Sequence, residues 1–190
     1  VTVQQLSFNN ASGVTVDGGH DVTVTANGGV GVRVGNQNLA SAPTAQQVAT
    51  GAVDITLNNT GAGAIQVFGG TTVKATVNST SNTGAINIGN TAANTGNNKA
   101  GAIANASGDI TVNTAGTGAV TVFGGDNVAI NSTALSGAGA ITVGDMGYVD
   151  PSNQPKGNVT ITETNQIAYN GLAGSSNNNV VNGAISVYGG

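Results

Sequence analysis

The side chains that could perform acid–base chemistry are few and spread along the chain. One histidine, His20, accompanies seven aspartates and one glutamate. An enzyme that cleaves polysaccharides needs paired carboxylates, often beside a Lys or Arg. No pair of acids recurs here with a cationic partner, so we expect solvated carboxylates, no catalytic residue and no enzymatic activity. The acids are Asp17, Asp21, Asp54, Asp109, Asp126, Asp145, Asp150 and Glu163.

A cation site is also not expected. His20 lies between two aspartates in the stretch Asp17-Gly18-Gly19-His20-Asp21. A lone imidazole without a second strong ligand is weak evidence for a metal, and the chain has no cysteine to add a thiolate. Glycine-rich calcium-binding repeats do not recur. We therefore predict no metal and no cofactor.

The aromatic side chains are more regular than the charged ones. Phe68, Phe123 and Tyr188 each stand immediately before a Gly-Gly pair. One interpretation is that each ring covers the bare backbone of neighbouring glycines. The other is that the rings form a row about 10 Å apart, on which a sugar stacks by its apolar face. We favour the first interpretation; under the second, these three residues are the candidate glycan contacts.

These aromatic positions belong to an internal repeat. Residues 63–70, 118–125 and 183–190 are near copies of one another, with the pattern Gly-Ala-(Ile/Val)-x-Val-(Phe/Tyr)-Gly-Gly. Repeats of this length indicate that the chain is built from stacked copies of one small unit. We divide it into seven units: 1–19, 20–50, 51–70, 71–106, 107–125, 126–156 and 157–190.

Each unit carries two short segments in which branched aliphatic residues alternate with polar ones. Of the 28 aligned apolar positions, 27 are Val or Ile and the exception is Ala75. Alternation with a period of two predicts a strand with one buried face, and β-branched side chains suit it. No stretch shows the 3.6-residue period of an amphipathic helix.

The spacing between the segments predicts two kinds of corner. Val22 lies six positions after Val16, and the same spacing recurs after Val67 and after Val122. These short corners contain Gly-Gly, where glycine allows backbone angles closed to other residues. Long corners alternate with them at 36–50, 90–106 and 145–156, all expected on one side. Unit seven differs, because its insertion, 163–181, lies between its two strands.

One unit alone cannot bury its Val/Ile stripe, whereas stacked units bury it in a continuous column. The sequence therefore predicts an all-β fold: a right-handed parallel β-solenoid (β-helix) of about seven rungs with loop insertions, forming a single domain over 1–190. We also expect a third side of the solenoid, formed by the gaps between the two strands of each unit and by the long corners. The sequence does not show which residues form it. The alternative is a tandem of four-stranded antiparallel units of the propeller-blade kind.

Charge restricts the partners. Only 6% of the residues are charged, and the four cations are Arg33, Lys74, Lys99 and Lys156. So few cations cannot follow a phosphate backbone or dock on anionic lipid, so we expect no nucleic acid as a partner. No apolar run approaches the ~20 residues that span a bilayer, so no membrane insertion is expected.

The repeats resemble those of the filamentous-haemagglutinin-like family of large β-helical exoproteins moved by two-partner secretion. The resemblance lies in Gly-x-(Val/Ile)-Thr-(Val/Ile), as at 108–112 and 157–161, in Gly-Ala-Ile-x-Val, and in corners rich in Asn, Gly and Thr. It covers the whole chain. The alternation of ~20-residue and ~31–36-residue units departs from the uniform repeats common in such shafts, which leaves the subfamily open.

The resemblance implies a structural shaft of a secreted or cell-surface bacterial adhesin, acting in adhesion, aggregation or biofilm matrix. Chain ends that fall in mid-pattern indicate a fragment of a longer array, with neighbouring repeats as its nearest partners. Extracellular polysaccharide or surface glycan is the expected ligand, bound through the loops or the aromatic row. The alternatives are a carbohydrate-active β-helix enzyme and an amyloid-like matrix protein.

Overall fold

Fourteen short strands form two parallel sheets in a computed structural model that describes residues 1–6, 13–28, 31–36, 48–58, 61–90, 104–134, 137–146, 151–164 and 183–190. The first sheet contains β1 (Thr2–Gln5), β3 (Val22–Ala26), β5 (Val53–Leu57), β7 (Val73–Val77), β9 (Ile110–Thr114), β11 (Val128–Ser132) and β13 (Val159–Glu163). The second contains β2 (Val14–Val16), β4 (Val32–Val34), β6 (Ile65–Val67), β8 (Ile86–Ile88), β10 (Val120–Val122), β12 (Ile141–Val143) and β14 (Ile185–Val187).

Each strand pairs with the equivalent strand of the next unit. The first sheet has the order β1-β3-β5-β7-β9-β11-β13, and the second follows the same progression through the even-numbered strands. Every strand pair within these sheets is parallel. The fold is therefore a parallel β-solenoid of seven rungs, as predicted, and the antiparallel alternative is wrong.

The register places the predicted apolar residues in vertical columns. Ile65 lies opposite Ile86, and Ile86 lies opposite Val120. All four aligned positions of every rung from the second to the sixth are buried. The end rungs cover theirs less well, since Val1 is 61% exposed and Ile185 is 49% exposed. Stacking, and not any single rung, therefore provides the dry interior.

A further column extends the core at the last residue of the first-sheet strands. Ala26, Leu57 and Val77 are buried there in consecutive rungs. The next two rungs place the polar side chains of Thr114 and Ser132 at the same position, also buried. Thr114 satisfies its hydroxyl oxygen by accepting from the N–H of Gly116 at 3.1 Å. This column is thus apolar in the second to fourth rungs and polar in the fifth and sixth.

The short corners require glycine. Gly69 follows β6 with φ of +83°, which L-residues rarely adopt. A Cβ there would lie 2.5 Å from the carbonyl oxygen of Ala49 and 2.9 Å from Cβ of Val48. Both the turn and the close approach of a neighbouring rung exclude a side chain at this point.

The neighbours of these corners are the described ends of the long corners, residues 48–50, 104–106 and 151–156, which we call the return segments. Ala49 forms parallel bridges with Gly19 on one side and Gly69 on the other. Ala106 bridges Gly124 in the same way. The return segments therefore alternate with Gly-Gly corners along the rod, and together they form its third side.

The long corners all leave from the end of a second-sheet strand, after β4, β8 and β12. This agrees with their predicted position on one side of the rod. Their middle portions, and most of the 163–181 insertion, lie outside the described residues. A 3-10 turn, Pro151–Asn153, begins the last return segment. In the described part of the chain, no helix is long and apolar enough to cross a membrane.

Candidate ligand-binding groove

The outward face of the second sheet carries a line of polar side chains. Gln66, Asn87 and Thr121 are the middle residues of β6, β8 and β10. They are direct register partners, so they stack on three adjacent rungs at about 4.8 Å per rung. Since the flanking Val and Ile point into the core, the alternation of the strands turns these three outward. They form a polar row parallel to the rod axis.

The three predicted aromatic positions differ in exposure. Phe68 is only 2% exposed, because it packs in a small cluster with Val48 and Ala104 from the return segments on either side. Phe123 and Tyr188 are half-buried. Phe68 is therefore chiefly a core residue of the third side, whereas Phe123 keeps part of its ring accessible.

A groove of about 330 Å³ joins the polar row to the aromatic positions. We call it the central groove; the described residues that line it are Gln66, Phe68, Asn87, Gly89, Asn90, Thr121 and Phe123. A second groove of about 360 Å³ shares Gln66 and continues over β4 and β2 toward Arg33. The two grooves run along the outer face of the second sheet. Tyr188 lies at the equivalent position two rungs further on and does not line the central groove.

Gly89 keeps the central groove open between the two phenylalanines. Its N–H donates to Val67 O at 2.8 Å, and the N–H of Phe123 donates to Ile88 O at 2.8 Å, which fixes the three rungs together. With φ of +81°, a Cβ on Gly89 would lie 2.7 Å from Phe123 O. The alternation of aromatic residue and glycine therefore leaves a gap on every second rung.

The polar row is available for a ligand. None of the side chains of Gln66, Asn87 and Thr121 forms a hydrogen bond within the residues that the structure describes. Amides elsewhere on the rod are used internally. Asn58 Nδ2 donates to Asn27 Oδ1 at 2.8 Å, and the next rung repeats the contact from Asn78 Nδ2 to Asn58 Oδ1 at 2.7 Å. Stacked amides thus link three consecutive rungs there.

The carboxylates do not converge on this groove. Lys74 Nζ lies 3.6 Å from Asp54 Oδ2 on the outer face of the first sheet, where the two residues are register partners. Arg33 Nη2 lies 3.6 Å from Asp17 Oδ1 on the second sheet. Both pairs are exposed and therefore contribute little stability. Asp150 lies outside the described residues.

The corner that contains His20 is a structural contact between rungs. Asp21 Oδ1 accepts from the N–H of Ala52 at 2.9 Å, and His20 Nδ1 lies 3.1 Å from the same oxygen. The backbone hydrogen bond from Ala52, followed by the imidazole, holds the pKa of Asp21 below its usual value. Among the described residues, no three His, Cys, Asp or Glu side chains are grouped as metal ligands.

A buried amide closes the long corner beside the central groove. Asn105 Oδ1 accepts from the N–H of Asn90 at 2.9 Å, which joins the two ends of corner 90–106. Its Nδ2 donates to Ser152 O and to Asn153 Oδ1, both at 2.9 Å, passing the side-chain-free Gly124. The repeat pattern does not single out Asn105, because its importance arises from contacts with segments far along the chain.

The same arrangement recurs in the next long corner. Gln154 Nε2 donates to Asp145 O at 2.7 Å, and Gln154 Oε1 accepts from the Asp145 N–H at 3.3 Å. An amide thus fastens the base of this corner as well. The ends of both long corners are fixed, whatever residues their middle portions contain.

Comparison of the chain with protein-family models, with curated proteins and with solved structures finds no match. Any statement about what the groove binds therefore depends on its own residues.

Proposed function

We propose that this chain is part of the structural shaft of a large bacterial adhesin of the filamentous-haemagglutinin-like kind, which is secreted or displayed at the cell surface. The observation that carries the proposal is the unbroken register of the core columns through seven rungs. Such a column makes a stiff spacer, since each rung contacts only its neighbours and adds its own height to the rod. Stiff spacing is what a shaft supplies.

The surface composition supports an extracellular scaffold of this kind. Short uncharged side chains cover the rod, and only 6% of the residues are charged. The expected partners are extracellular polysaccharide or a surface glycan, together with the neighbouring repeats of a longer array. Adhesion, aggregation and biofilm contacts are the corresponding roles.

Glycan contact is assigned to the central groove and not to the aromatic row as a whole. Phe123 combines a partly accessible ring with three polar side chains from adjacent rungs. Aromatic faces stack on the apolar face of a sugar, and amides match its hydroxyl groups. Phe68 also lines the groove, but it is buried and therefore contributes packing.

Small-angle scattering and a glycan array test the two parts separately. The shaft proposal expects a soluble rod of fixed length in small-angle scattering. A compact particle or a fibril would contradict it, and a fibril would favour the amyloid-like alternative.

The glycan proposal expects that Phe123→Ala weakens glycan binding while the circular dichroism spectrum is unchanged. Phe68→Ala is the contrasting variant, which we expect to unfold the rod at a lower temperature. Binding unaltered by Phe123→Ala would reject the groove.

A polysaccharide-degradation assay addresses the enzyme alternative. Two described carboxylates form separate ion pairs on different sheets, Asp54 with Lys74 and Asp17 with Arg33. General acid–base cleavage needs two carboxylates on opposite sides of one bond. We expect no release of reducing ends from any polysaccharide that binds.

A further inference from the structure

The central groove presents its hydrogen-bonding groups along the rod axis. Gln66, Asn87 and Thr121 occupy three consecutive rungs at one strand position, a length of about 10 Å at the usual strand spacing. A ligand lying along one strand meets one of these side chains. An extended ligand lying parallel to the axis meets all three.

The groups offered are those that complement hydroxyls. A carboxamide carries two donor hydrogens and an acceptor oxygen, and a threonine hydroxyl both donates and accepts. Neighbouring sugar hydroxyls present the same mixed set. Because these side chains form no hydrogen bonds within the described residues, a ligand does not have to displace internal ones.

The charge of the groove selects among glycans. The seven residues that line it in the described part of the chain carry no formal charge. Arg33, one rung beyond Gln66, does not line the central groove, and its Nη2 lies 3.6 Å from a carboxylate oxygen of Asp17. Taking a uronate carboxylate out of water without a cationic partner is costly. A neutral sugar incurs no such cost.

We infer that the central groove binds a neutral, extended glycan strand that runs parallel to the rod, with Gln66 and Asn87 as its specificity-determining residues and Phe123 as its stacking platform. This inference rests on the proposed function, for which it names the class of ligand and its direction.

Titration calorimetry with matched hexasaccharides tests the class. The probes are cellohexaose, laminarihexaose and mannohexaose, which are neutral, and hexagalacturonate, which is anionic. We expect at least one neutral probe to bind and hexagalacturonate not to bind. Preferential binding of hexagalacturonate would overturn the inference while leaving a glycan-binding shaft standing. If no probe binds and the wider array is also blank, the inference and the glycan part of the proposed function both fail.

Substitutions test the residues. Loss of one neutral hydrogen bond predicts roughly fivefold weaker binding for Gln66→Ala and for Asn87→Ala. Asn87→Asp preserves the side-chain size and removes both donors, so it gives the same test if the alanine variant folds poorly. The matched control is Asn131→Ala, an outward amide on β11 of the other sheet, where affinity stays unchanged. Equal losses from Asn87→Ala and Asn131→Ala would place the ligand elsewhere and overturn the inference.

Discussion

Because branched aliphatic residues stack in columns, we predict that an Ile→Ala substitution lowers the free energy of unfolding far more in the middle of the rod than at its end. Ile86 in β8 and Ile185 in β14 occupy the same column, three rungs apart. Ile86 is 2% exposed and Ile185 is 49% exposed. Comparing the two positions therefore separates the stability that stacking provides from the stability that depends on residue type alone.

Replacing Ile86 by alanine removes three buried carbon groups, each worth ~0.8 kcal/mol of transfer free energy. The neighbouring rungs cannot collapse without breaking their ladder, so a cavity remains, and the total loss is about 3 kcal/mol. At Ile185 about half of the transfer term applies and no closed cavity forms, which gives roughly 1 kcal/mol.

Urea unfolding followed by far-ultraviolet circular dichroism measures both losses, provided that the urea slope stays constant between variants. Sedimentation at the same protein concentration establishes whether the ends of two rods associate, which would cover Ile185. Equal losses at the two positions in a monomeric sample would refute the reasoning. So would a loss below ~1 kcal/mol for Ile86→Ala, because it would mean that the column is not close-packed.

Three further predictions concern the corners. Asn105→Ala removes hydrogen bonds to two other segments at a buried position and should cost about 2–4 kcal/mol, whereas the exposed Asn131→Ala should cost under ~1 kcal/mol in the same urea assay. Gly124→Ala forces a side chain onto φ of +73° and to within 2.7 Å of Asn105 Cβ, so a fall in melting temperature of more than about 5 °C is expected. Because Asp21 has a lowered pKa in the folded state, it adds stability above its usual pKa of 3.8 that is lost as the pH falls through the folded value. The melting temperature of Asp21→Asn should therefore fall less between pH 5 and pH 3 than that of the parent chain, and an equal fall would contradict this role.

The sequence predicted the core of this fold because its signal is periodic. Every aligned pair of branched residues, from Val1 and Val3 to Ile185 and Val187, falls in the predicted strand register or directly beside it. The period of two and the fixed spacing across Gly-Gly corners leave little freedom in how the units stack. The further core column at the last residue of the first-sheet strands, which contains Leu57 and Thr114, was not predicted. Its residues change from apolar to polar along the rod, so they show no periodic signal.

The third side was not predictable by the same means. Its return segments have no common pattern: Val48-Ala49 in one rung corresponds to Gln154-Pro155 in another. They share only backbone pairing with glycine corners, which leaves no mark on residue type. The burial of Phe68 depends on Val48 and Ala104, which come from two of these segments. The sequence therefore could not indicate that Phe68 is buried.

The direction of the hydrogen bonds has a mechanical consequence. In a solenoid the bonds between rungs lie parallel to the rod, so a pull along the rod loads them directly and not in shear. Such a rod yields by peeling one coil at a time. A 20-residue coil, such as residues 51–70, releases about 65 Å of chain at ~3.3 Å per residue. Tension would thus be absorbed as stepwise lengthening of the rod and not as one sudden release.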